Sequence, residues 1–175
     1  MTIRFILSKL TLVFIAATCF VACGQVPTDQ AHSKNPITKT ENLSYDTSKT
    51  AIIEFNEKDH WPFDSTFNAA VLNQSELNTV DSILLVSVAN YNTSVVSSHK
   101  QWNIDLNRKN YRKQLVVVTN KFGQKEVWVN CFCWIDNDKW KTRIFSVHDG
   151  GNCYFNFKIN LTTKTYDDFS VNGAA

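Results

Sequence analysis

Between residues 152 and 161 the chain reads NCYFNFKINL, and this alternation constrains the fold more than any other stretch. Successive side chains of an extended strand point to opposite faces. Cys153, Phe155, Phe157, Ile159 and Leu161 therefore share one face, and Tyr154, Asn156, Lys158 and Asn160 share the other. A strand with one apolar face needs sheet partners and a cover. Four more stretches carry β patterning: QLVVVTN from 114, KEVWVNCFCWI from 125, TRIFSVH from 142 and YDDFSVNG from 166. The links KFGQ, DNDKWK, DGG and TTKT are short and turn-rich, which predicts an antiparallel meander of four to five strands.

The cover is written in NQSELNTVDSILLVSVANYN, residues 73–92. Asn73 with Glu76 three residues on forms a capping box, and Leu72 and Leu77 occupy the positions of a hydrophobic staple. Leu77, Val80, Leu84, Val88 and Tyr91 recur at spacings of three and four, one apolar stripe of an amphipathic helix. TAIIEFN, from residue 50, is a further short β candidate. One helix on an antiparallel sheet defines an α+β class.

The same alternation assigns the cysteines. In WVNCFCW, Cys131 and Cys133 face one way with Val127, Val129 and Ile135, and by continuity they share the core face of Cys153. In a simple meander the strand at 142–148 separates Cys153 from the other two by roughly 10 Å, beyond the roughly 7 Å between Cα atoms that a disulfide spans. Buried thiols are the expectation. An internal disulfide requires a different strand order, and a reactive or metal site remains a third reading. The hydrophobic pattern around HDGGN favours a three-residue Asp149–Gly150–Gly151 turn with a left-handed glycine, which sets Phe145 and Val147 over Phe155 and Cys153.

Trp128, Phe132 and Trp134, with Tyr154, fall on the opposite side and make an aromatic patch unless another segment covers it; an exposed patch of this kind marks an interaction surface. The candidate covers are the end of the leading segment, the loop containing His60, Trp61 and Phe63, and the last strand. That loop is itself a second candidate contact. The basic run Arg108, Lys109, Arg112 and Lys113 reads as a solvated loop.

Catalytic and metal signatures are weak. Structural zinc takes four ligands, commonly in close pairs, and here only His148 and Asp149 lie near, beside the glycine turn. C-x-C is not the C-x-x-C of a redox helix. His32, His60, His99 and His148 lie in separate segments, and Ser146, His148 and Asp149 lack the arrangement of a triad. Phosphate-loop and dinucleotide fingerprints are missing, so no catalytic residue, metal or cofactor is assigned.

The N-terminal residues describe a destination. Arg4 and Lys9 precede the apolar LTLVFIAATCF, which is too short to span a bilayer stably, and then FVACG. Residues 1–22 read as an export signal. Ala22 before Cys23 resembles a bacterial lipobox, which implies lipid modification of Cys23 as the first mature residue; Phe20 departs from the usual Leu, and Cys19, after Thr18, is the weaker match. Removing residues 1–22 takes two of the 18 Lys and Arg and none of the 16 Asp and Glu, so the mature chain is formally neutral and offers no basic field for nucleic acid. Residues 23–49 are rich in Ser, Thr, Asn and Pro and read as a flexible tether. Residues 50–175 are then one domain with a single core. The expected location is the cell envelope, lipid-anchored, at the outer membrane facing the periplasm, where cysteines usually meet an oxidising compartment.

VWVNCFCW, DGGNCYFNFKINL and FSVNG together resemble a group of small, uncharacterised exported lipoproteins of Bacteroidetes-type bacteria, over about residues 72–173; the resemblance implies no activity. The order helix then meander is also similar to cystatin-like and PepSY-like layouts, in topology alone. The expected function is a membrane-anchored, non-catalytic binding or inhibitory module for a protein or peptide partner. The alternatives are a thiol-dependent enzyme or metal protein using Cys131, Cys133, Cys153 and His148, and a structural envelope protein.

Overall fold

A computed structural model describes residues 43–56 and 62–173. The proposed lipidation position Cys23, and His32, His60 and Trp61, lie outside the described residues.

The described residues form an α+β domain with one main helix and a mostly antiparallel sheet. The strands are β1 (Thr50–Ile53), β2 (Asn68–Ala69), β3 (Arg112–Thr119), β4 (Lys125–Phe132), β5 (Tyr154–Asn160) and β6 (Thr165–Val171); the helix α1 spans Gln74–Ser94. Strands β3, β4, β5 and β6 follow one another as an antiparallel meander. TAIIEFN supplies β1, which runs parallel to β3 at the sheet's edge, and β2 pairs antiparallel with β3 further along that edge.

The helix begins as its caps dictate. The Asn73 side chain accepts from the Glu76 N–H at 2.9 Å while Glu76 Oε2 accepts from the Asn73 N–H at 2.8 Å. Glu76 also pairs with Lys125 at 2.6 Å, so the same carboxylate ties the helix start to β4. Leu77, Val80, Leu84 and Val88 are buried against Leu115, Val117, Val127, Val129, Cys131, Phe155, Phe157 and Ile159. The period-3.6 stripe meets the period-2 faces of three neighbouring strands, and their mutual burial is what holds α1 in place.

The opposite face is also closed. Val116, Val118, Trp128 and Phe132 are buried there with Ala51, Ile53, Phe55, Phe63 and Trp140. TRIFSVH is not a strand: the connection from β4 to β5 makes a 3₁₀ turn at Asp138–Lys141 and then runs irregularly across this face, packing Ile144 and Phe145 onto it. The expected hairpin at Asp149–Gly151 is likewise replaced. Gly150 and Gly151 both have positive φ, 92° and 58°, and lead into a 3₁₀ turn at Gly151–Cys153. Strands β4 and β5 are therefore direct neighbours, with Val129 opposite Phe157 and Phe132 opposite Tyr154.

Candidate functional site

Three places merit a chemical reading: the cysteines, the aromatic face, and a cleft beside α1.

The β4–β5 register decides the first. One step beyond the Phe132–Tyr154 pair, Cys133 stands opposite Cys153, its N–H donating to the Cys153 carbonyl at 3.0 Å. Their Cα atoms are 5.0 Å apart and they form a disulfide. This corrects the expectation of three buried thiols: the stretch assumed to intervene as a strand lies over the sheet instead of within it. Cys131 is the free thiol and is buried. Loss of hydration pushes its pKa up to about 12, so it stays protonated and is a poor nucleophile. Among the described residues, no three His, Cys, Asp or Glu side chains gather as metal ligands.

The three motifs that carried the lipoprotein resemblance meet around this disulfide. Asn152 donates to the Gln101 and Asn103 carbonyls and accepts from Lys109 Nζ at 2.7 Å, while its own carbonyl accepts from the Tyr111 hydroxyl. Asn172 donates to the Val147 and Asp149 carbonyls, and the Gly151 N–H donates to the Gly173 carbonyl. A side chain at Gly150 would strike the Tyr154 ring, its Cβ lying 2.4 Å from a ring carbon. DGGN, C-x-C and VNG are thus parts of one knot that ties the chain end and two loops to the sheet.

The aromatic face is not an open surface. Trp128 and Phe132 are buried, and Phe132 lies against Trp140 and Phe145, in edge contact with Trp140 at 5.5 Å between centroids. Phe63, from the second candidate contact, is buried in the same cluster. Trp134 alone of the four patch residues is widely exposed, at 65%, while Tyr154 is half-buried with its hydroxyl donating to the Trp134 carbonyl. Two buried amides hold the cover down. Gln114 Nε2 donates to the Trp140 and Arg143 carbonyls, and its Oε1 accepts from the Phe145 N–H at 2.9 Å and from Asn130 Nδ2 at 3.1 Å. Asn130 Nδ2 also donates to the Phe145 carbonyl at 2.7 Å. These bonds replace the ladder that a strand at 142–148 would have had.

The cleft was not foreseen. About 350 Å³ of space opens between α1, the start of β3 and the segment from Ser44 to Thr50. Thr50, Lys113 and Cys131 form one cross-strand rung of its floor. Leu77, Leu84 and Leu106 add apolar walls. Lys113 pairs with Asp81 of α1, its side chain only 16% exposed. The basic run is thereby divided: Lys109 serves Asn152, the Arg112 guanidinium lies 5.9 Å from the centroid of the Trp140 ring, and Lys113 turns into the cleft. One signal was present in the sequence, since Lys113 is two residues before Leu115 and therefore shares its inward face.

No protein-family model matches the chain, no curated protein is detectably similar to it, and no solved structure resembles it detectably. The fold and site define a disulfide-bonded α+β domain with a small mixed-polarity cleft.

Proposed function

We propose that this is a bacterial envelope lipoprotein, anchored through Cys23, whose domain binds a protein or peptide partner without catalysing a reaction on it. The observation that carries the reading is the fate of the cysteines. Two are joined and the third is buried and protonated, so sulfur here serves stability, in keeping with export to an oxidising compartment. The FVACG pattern and the polar stretch that follows it agree with a tethered module, although the folded part begins earlier than residue 50: Leu43 and Tyr45 already pack on the core. With the aromatic face covered, the cleft beside α1 is a concave surface open to a partner; its volume falls at the small end of ligand sites, roughly 300–1,000 Å³.

Two measurements test the reading. Intact-mass analysis of the mature protein should show a chain starting at Cys23 with added lipid and one free thiol; an unlipidated chain overturns the anchoring, and a mass without the Cys133–Cys153 bond overturns the role given to sulfur. A photo-activatable residue in place of Asn78, on the cleft wall, should cross-link in cells to one protein identifiable by mass spectrometry, whereas the same residue in place of the exposed Phe122 should not. No product from Asn78, or equal products from both, overturns the binding role.

A further inference from the structure

The cleft carries more information than its size. Its floor and walls are apolar at Leu77, Leu84, Leu106 and Cys131, yet the side chain of Lys113, only 16% exposed, brings an ammonium to one side. An ammonium has three donors. Asp81 takes one of them, and no other hydrogen bond to Lys113 Nζ exists among the described residues. A cation that is largely removed from water and has unfilled donors favours an anion that can complete its shell.

The charges around it are mixed. Asp81 is the less buried partner, 52% exposed, and it lines the cleft beside Lys113. Asp46, on the opposite wall, is occupied by the Ser48 hydroxyl and N–H, at 2.6 and 2.9 Å. Lys49 at the rim forms no ion pair among the described residues, and it adds positive potential at the opening. The Arg112 guanidinium has turned to the other face of the sheet, so a bidentate clamp for phosphate is not offered here. The Lys113 ammonium beside Leu77, Leu84 and Leu106 suits a monovalent anion carrying a small apolar group.

We infer that the cleft binds a carboxylate attached to a short apolar body, with the carboxylate on Lys113 and the apolar part against Leu77, Leu84 and Leu106. The two sources of that chemistry are a free small carboxylic acid and the C-terminal residue of a peptide. The inference rests on the binding role proposed above and names what the cleft recognises. Asp81 is then a built-in competitor: its carboxylate holds Lys113 while the cleft is empty and yields one of its contacts when the ligand arrives.

This has an unusual sign, which supplies the test. Calorimetric titrations of the mature full-length chain in detergent would use hexanoate, hexanol, a tripeptide ending in leucine, and the same tripeptide with a C-terminal amide. The free-carboxylate probes should bind, with hexanol and the amide weaker by about tenfold or more, as for loss of a charge-assisted hydrogen bond. K113Q should weaken carboxylate binding by a similar factor, whereas D81N should strengthen it. Thermal melts confirm that each variant is folded, and if K113Q is not, D81N decides the matter alone. Binding of the tripeptide without hexanoate assigns the cleft to chain ends, and binding of both assigns it to small acids; either supports the inference. Equal affinity for acid and amide, binding of neither carboxylate probe, or weaker binding by D81N overturns it. If the titrations fail while cross-linking from Asn78 persists, only the carboxylate assignment falls; if both fail, the binding role falls with it.

Discussion

The sheet is closed on its two faces by different devices. On one side lies a 21-residue helix whose stripe of Leu77, Val80, Leu84 and Val88 is regular, capped at its start and held by side-chain packing. On the other lies an irregular connection whose rings, Trp140 and Phe145, are kept in place by two buried amides and a disulfide at the base. The helix satisfies its own backbone and needs only an apolar surface to lie on. The irregular cover has no ladder of its own, so its polar groups must be met one by one from below. The first arrangement tolerates conservative change along a stripe. The second concentrates its stability in a few residues.

That contrast can be broken or sharpened experimentally. The largest effect is expected from emptying the irregular side: Phe132→Ala should cost about 3–5 kcal/mol by chemical denaturation, the range for a buried ring replaced by a methyl. A loss below that range would mean that the cover collapses into the space. Next, serines in place of both Cys133 and Cys153 should cost about 3 kcal/mol, from loop closure over a separation of 20 residues. The two covers separate most clearly at Gln114→Ala, which strands the Phe145 N–H and two carbonyls and should cost roughly 1–3 kcal/mol. Hydrogen exchange in that variant should rise at residues 140–145 while α1 keeps its protection.

The helix side has its own titration. The Cys131 pKa moves from 9.0 to about 12 on folding, so the unfolded chain loses its thiol proton first. The stability tied to that proton is fully present below the ordinary thiol pKa and is lost as pH rises from there toward about 12. Tyr111, raised by burial, adds in the same direction at higher pH. Cys131→Ala should flatten the alkaline limb above pH 9, and an unchanged slope would show that the thiol is not shielded. The smallest effect is at the cap: Asn73→Ala should cost about 1 kcal/mol.

The same contrast explains what was legible in the sequence. Periodicity announces regular elements, so α1, its capping box, the inward set of β5 and the inward face of Cys131 could be read from spacing alone. Phe145 and Val147 also alternate plausibly, but the hydrogen bonds that hold Phe145 come from Gln114 and Asn130, whose side chains follow no period. Mistaking the cover for a strand moved Cys133 away from Cys153 and left Trp128 and Phe132 apparently bare. The cleft is hidden in the sequence for a related reason: Lys113 closes a basic run there, whereas β3 begins at Arg112 and turns Lys113 inward.

The bond between Cys133 and Cys153 makes residues 133–153 a covalent ring hung from the end of the sheet. Trp134, Asp136, Lys139 and Arg143 of that ring are exposed, within reach of a protease. A single cut among them would leave the polypeptide as one molecule of unchanged size until a reductant is added. The connection can thus be nicked without releasing either half of the domain, because sulfur preserves the connectivity that the peptide bond has lost.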